Sequence, residues 1–281
     1  MKRLSKSFTL LQQTANKTKP IFFITDTQKV SVIKNMGLVL SKSTVGLLIL
    51  INSITPVLPA IAIKPKADSA LSPKLTQVNK QAAEEYRQLG ISYRKQERFD
   101  EAIASLQKSV NLDPCNLDGR IILGWTQHLA KKHDAAAVSL WEAIYLSPTS
   151  LQAFNAIGIV YLVRGDLPQA VVLHSWAALL KADNEIAHYN LSLAYQRLKQ
   201  NDLAIAYAQK ATELEPTNPH PFVAMAIAQW TSGNQPSAKQ TFREAIGVDA
   251  RYRSSDFLNF LNEAGFSNDQ IQTAKQVLAS L

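Results

Sequence analysis

A 34-residue periodicity governs what this chain can fold into. Aligned on Gly90, Gly124 and Gly158, it divides into five units that begin at Ala83, Leu117, Leu151, Glu185 and Pro219, with no insertion between them. Position 20 is alanine in every unit: Ala102, Ala136, Ala170, Ala204 and Ala238. Position 27 is Ala143, Ala177, Ala211 and Ala245 in the last four, and position 7 is Leu89, Leu123, Ile157, Leu191 and Met225. Position 32 is Pro114, Pro148 and Pro216, with Ala182 and Ala250 in the other two units. A period of this length marks an array of supersecondary units that stack along one direction. Within a unit, positions 4, 7, 8 and 11 fall on one stripe of a first helix, and positions 20, 24 and 27 on one stripe of a second. Two antiparallel helices approach closely where side chains are small, which Gly at 8 and Ala at 20 provide. Breakers stand where turns are needed: Gly165-Asp166 and Gly233-Asn234 inside hairpins, Asp113-Pro114 and Glu215-Pro216 between them.

Unit one carries Tyr86, Leu89, Gly90, Tyr93, Phe99, Ala102, Leu106 and Pro114, and unit three Phe154, Gly158, Tyr161, Ala170 and Ala177. This pattern resembles the tetratricopeptide repeat, which implies an all-α, right-handed superhelix of helix hairpins with a concave face. The resemblance covers residues 83–252 and departs at position 8 of the last two units (Ser192, Ala226), at position 4 (His188) and at position 24 (His174). It implies a non-catalytic adaptor or scaffold that binds a protein or peptide segment, and it leaves the partner open.

After the fifth unit, residues 253–281 read as a capping pair of helices. Phe257, Leu258 and Leu261 form one stripe, Gly265 ends that helix, and Ser267 to Gln270 form a capping box. Ile271, Ala274, Val277 and Leu278 then face inward, shielding the apolar end of the stack.

The N-terminal part reads as an address. Thr44 to Ile63 carries no charge, with Lys34 and Lys42 before it and Lys64 and Lys66 after. Small residues at Ala60 and Ala62 suit signal cleavage after Ala62, and residues 36–62 have the length of a signal peptide. An uncleaved signal anchor is the competing reading, since about 20 apolar residues span a bilayer. Both place the repeats outside the cytoplasm (periplasmic, lumenal or exported), with membrane contact through the N-terminal segment only. Residues 1–35 form a basic extension, expected to precede the true start at Met36. Residues 63–82, polar over Lys64 to Asn79 with two prolines, read as a linker and helix lead-in.

Charge excludes one class of partner. Of the net +8, residues 1–63 hold +7 (eight basic against one acidic) and residues 64–281 only +1 (22 against 21). The repeats therefore have no electrostatic footprint for nucleic acid. A single cysteine, Cys115, excludes an internal disulfide framework, and His128 and His133 stand on different helices at a spacing unsuited to a zinc pair. No phosphate loop or nucleophile arrangement appears, so neither enzyme activity, cofactor nor metal is expected.

The resemblance places first-helix positions 2, 5, 6, 9, 12 and 13 on the concave face. Position 9 reads Ile91, Trp125, Ile159, Leu193 and Ile227, an apolar ladder; Trp230 stands at position 12. Tyr189 stands at position 5, and Asn155 and Asn190, at 5 and 6, are expected to hold a peptide main chain. Arg87 and Arg94 make the first unit's end basic. The pattern that grips the carboxylate end of heat-shock chaperones is absent, because Ile91, Ile122, Gln152 and Ala156 stand where it needs other polar or charged groups. Trp141 and Trp176, at positions 25 and 26, form a possible convex contact and the alternative reading, an assembly factor for a membrane complex. The sequence leaves the oligomeric state open.

Overall fold

A computed structural model describes residues 73–281, which belong to one compact unit; the cleavage pair Ala60 and Ala62, the 36–62 export segment and the 1–35 extension lie outside them. The described residues hold eleven α-helices and no strand. Five hairpins follow the 34-residue register: α1 (Pro73–Lys95) with α2 (Phe99–Leu112), α3 (Leu117–Leu129) with α4 (His133–Leu146), α5 (Leu151–Arg164) with α6 (Leu167–Leu180), α7 (Glu185–Arg197) with α8 (Asn201–Leu214), and α9 (Pro219–Thr231) with α10 (Gln235–Val248). Helix α1 starts ten residues ahead of the first unit, so much of the expected linker is helical. Pro73 opens it, where a missing N–H removes no helical bond, and no breaker follows before Gly90.

The small positions do what the spacing requires. All five position-20 alanines are completely buried. A Cβ on Gly124 would lie 2.6 Å from Leu140 Cγ, and one on Gly90 equally close to Leu106 Cγ. In these two units position 8 therefore has no room for a side chain beside the leucine at position 24; unit five fits Ala226 beside Phe242. In unit three the residue at 24 is His174, whose ring packs on Gly158 with Cε1 at 2.6 Å from a hypothetical Cβ. Unit four reverses the sizes, pairing Ser192 at 8 with Ala208 at 24.

Helix starts and turns recur with the same period. Each inter-unit turn ends on a residue whose side chain accepts a backbone N–H of the next first helix: Asn116 from Gly119, Ser150 from Ala153, Asn184 from Ala187 and Asn218 from His220. These four caps occupy position 34 and satisfy donors that a helix start leaves open. Position 15, inside each hairpin, is left-handed in all five units: Glu97, Lys131, Gly165, Lys199 and Gly233, at φ between 60° and 89°. The sequence places glycine at only two of them, so three hairpins hold a strained non-glycine residue.

Each second helix packs on the next unit's first helix, from α2 on α3 through α8 on α9. First helices from α3 to α9 also touch one another, a contact that successive second helices do not match. First helices thus form the tighter, inner layer of a right-handed superhelix and second helices the outer one. Two apolar clusters fill the space between layers, one around Ile121, Leu140, Ile157 and Leu173, the other around Leu191, Ile227, Phe242 and the C-terminal residues Leu258, Leu261, Ile271 and Val277.

The C-terminal pair differs from expectation in its first member. Residues Ala250–Arg253 and Phe257–Ala264 are 3₁₀ helices, and α11 (Asn268–Ala279) follows. Leu258, Leu261 and Ala264 recur at three, the spacing that a 3₁₀ helix stacks in one line. Gly265 ends the turn at φ 88°, and the Ser267–Gln270 capping box is present.

Candidate functional site

The inner face is continuous in sequence register but divided in structure. In units one to three, Ile91, Trp125 and Ile159 are half-buried, and Leu129 and Val163, both at position 13, leave 40% and 42% of their surface in water. Those two side chains were not singled out by sequence reasoning, although position 13 could have shown them: it reads Lys95, Leu129, Val163, Arg197, Thr231. Beside this strip, the Trp125 ring lies 5.0 Å from that of His128. His128 Nδ1 in turn lies 3.2 Å from His133 Nδ1, so the hairpin turn brings together two histidines that the sequence separates. One imidazole must donate to the other, which requires the accepting ring to be neutral. Burial, and secondarily the proximity of His133, push His128 down to about 4. Among the described residues no group of three or more metal-ligating side chains accompanies them.

In units four and five the expected ligand-holding residues are already engaged. Leu193 and Ile227 are buried, and Trp230 packs against the second apolar cluster. Asn190, also buried, donates its amide to the Ile186 carbonyl of its own helix at 2.8 Å. The Tyr189 hydroxyl donates to the Ala264 carbonyl at 2.7 Å, and burial raises its pKa well above the usual phenol value.

Two further expectations are corrected. Asn155 is buried and exchanges two amide hydrogen bonds with the cap Asn184, at 3.0 and 3.3 Å, so it holds the next unit rather than a peptide. Arg87 likewise donates to the cap Asn116 at 2.8 Å and pairs with Glu84. Both pairs join position 5 to position 34 across one unit. Arg94 is half-buried, and burial lowers its pKa from the usual guanidinium value.

On the outer layer, Trp141 turns inward: its indole N–H donates to Tyr161 Oη of the next unit at 3.1 Å, and the ring packs on the first apolar cluster. Trp176 is exposed and lies 6.5 Å from Phe154 in a stacked arrangement. Other exposed large side chains of these outer helices include Val138, Tyr145 and Leu179, with 67% of Tyr145 and 60% of Leu179 in water.

The tetratricopeptide repeat family matches residues 83–114, and matches again over residues 186–218, which are units one and four of the array. Units one and four match tetratricopeptide repeats, and units two, three and five repeat the same helix hairpin in the same register. The chain is 24% identical over 172 residues to the BBSome complex member bbs-4 of Caenorhabditis elegans, across 61% of this chain and 37% of that protein. It thus spans little more than a third of that relative's length. Among solved structures, MamA residues 41 to the end from Desulfovibrio magneticus RS-1 superposes with a TM-score of 0.56 at 18% identity, covering 60% of this chain and 96% of that one. A thermophilic tetratricopeptide-repeat protein of Thermus thermophilus gives a TM-score of 0.52 at 20% identity, over 65% and 98%. At these identities the likeness establishes the fold. Repeats of this family serve as protein-interaction scaffolds and are generally non-catalytic.

Proposed function

We propose that this tetratricopeptide-repeat protein is an adaptor that binds an extended or helical protein segment with apolar side chains along the inner face of units one to three. The observation that carries this reading is the exposed pair Leu129 and Val163, in line with the half-buried Trp125 and Ile159. An aromatic anchor flanked by exposed aliphatics is the composition of an interface centre. Arg94 and Lys95 lie at one end of the strip and favour a segment whose matching end is acidic. Residues 36–62 carry the repeats out of the cytoplasm, cleaved or as an anchor; an N-terminus at Ile63 on the native protein supports cleavage, and an intact Met1 overturns it. Membership of a protein assembly fits the bbs-4 relative, whose name places it in a complex.

A photo-crosslinking residue at Val163 tests the groove. The expected result is a discrete protein adduct that Trp125→Ala removes while helical content stays unchanged. The second reading, an assembly factor acting through its outer surface, rests on α6, which carries no Asp, Glu, Lys or Arg yet exposes Trp176 and Leu179. Adducts from Leu179 alone, none from Val163, decide for it and against the groove.

A further inference from the structure

The inner face of units three to five already has an occupant. After the fifth hairpin the chain does not simply close the end of the stack: it turns back onto the first-helix layer and lays residues 264–271 across it. Ala264 presents its carbonyl to Tyr189 at 2.7 Å. Gly265 lies over the surface: a Cβ there would make ordinary contact with Leu193 at 3.7 Å, Leu162 at 3.8 Å and the Asn190 side-chain oxygen at 4.0 Å, and its φ of 88° is what favours glycine. These are positions 9, 12 and 6, the places a bound segment would contact. Phe266 is buried, its ring 6.0 Å from that of Tyr189. Gln270, also buried, donates its amide to the Leu193 carbonyl at 3.2 Å and to Gln196 Oε1 at 2.9 Å, and Ile271 and Ala274 join the apolar cluster.

We propose that residues 264–281 are a resident ligand of this half of the inner face, held in cis and exchangeable for a segment of the same chemistry. The proposal rests on the reading of the inner face as a segment-binding surface. The chemistry is specific: a neutral stretch with a free main-chain carbonyl, a glycine and an aromatic, then a Ser-x-x-Gln helix start followed by apolar residues at helical spacing. Net charge does not select the segment, since residues 250–281 carry three basic side chains (Arg251, Arg253, Lys275) and three acidic ones (Asp256, Glu263, Asp269), although Asp269 attracts Arg197 of α7. Its tether is short 3₁₀ turns joined by the exposed Ser254–Asp256, and its outer side leaves Phe260 in water. Tethering keeps the occupant at an effective concentration in the millimolar range, so a partner gains entry only by matching these contacts or when the segment is weakened.

A fluorescent peptide of residues 262–281, titrated into the full-length protein, tests this without any outside partner. The wild type is expected to bind it at least tenfold more weakly than the Phe266→Ala/Gln270→Ala variant, whose own segment is loosened, and Leu193→Gln added to that variant is expected to abolish binding. Hydrogen exchange on the wild type gives the second measurement: amides of α11 are expected to exchange at least tenfold faster than those of α7 and α9. Equal peptide affinity for wild type and variant, or α11 protected as strongly as α7 and α9, overturns the proposal and makes the segment a fixed part of the core. Neither result bears on Val163 crosslinking, so the two readings fail separately.

Discussion

His174 makes the array acid-sensitive in one calculable place. It stands at position 24, where units one and two have Leu106 and Leu140, and it is completely buried against Gly158. Neither ring nitrogen has a hydrogen-bond partner; the Gly158 main chain slightly favours the charged ring but falls short of a bond. Burial lowers the pKa from 6.5 to about 3. The folded state therefore keeps the ring neutral while the unfolded chain takes up a proton below pH 6.5. Stability is complete above that value and is lost progressively down through pH 3. Linkage gives a loss of about 2 kcal/mol by pH 5 and about 5 kcal/mol once the pH lies below both values. His174→Leu removes this dependence and relieves two unsatisfied buried nitrogens, a gain of about 1–3 kcal/mol at neutral pH. Urea unfolding followed by far-UV circular dichroism at pH 7.5 and pH 5 measures both effects. The variant is expected to be more stable at pH 7.5 and to lose about 2 kcal/mol less than wild type between the two conditions. His128, lowered to about 4, keeps some acid sensitivity in the variant. Equal losses in the two proteins would refute the argument that His174 folds as an uncompensated neutral ring.

Four further substitutions probe the repeat geometry. Gly124→Ala places a Cβ 2.6 Å from Leu140 Cγ and is expected to cost about 1–3 kcal/mol in chemical denaturation, and its cost is expected to shrink in a Leu140→Ala background, a less-than-additive double-mutant cycle. Asn155→Ala leaves the buried amide of Asn184 without its reciprocal partner; a loss of about 1–3 kcal/mol, with faster hydrogen exchange in the first turn of α7, is the expected outcome. Lys131→Gly and Lys199→Gly relieve left-handed backbone at φ 61° and 60°, and each should raise stability by about 0.5–1 kcal/mol in thermal melts.

The sequence reveals the fold because its strongest signals are local and repeated. Ala at 20, Gly at 8 and Pro at 32 fix a helix hairpin within one unit, and the period transmits it along the array. The capping box at Ser267 and the stop at Gly265 are equally local. Side-chain roles that cross units were not legible. Arg87 and Asn155 reach caps 29 residues away, a contact that depends on how adjacent hairpins dock. Trp141 has the position of an exposed residue, and its inward turn depends on Tyr161 in the next unit. Leu193, Asn190 and Tyr189 read as open groove because nothing in their own unit says that residues 264–271 lie over them. Left-handed turns at Glu97, Lys131 and Lys199 were hidden because the sequence offers no glycine there; backbone bonds from Arg98, Lys132 and Gln200 N–H to the Tyr93, Gln127 and Tyr195 carbonyls close each helix end around them.

The four tryptophans are spread over the surfaces in question: Trp125 on the open inner strip, Trp230 toward the occupied half, Trp141 between layers and Trp176 on the outside. Fluorine NMR of 5-fluorotryptophan-labelled protein, titrated with the partner captured at Val163, reads all four at once. A shift of the Trp125 signal with Trp176 unchanged is what inner-face recognition predicts. A shift of Trp176 with Trp125 silent would contradict it.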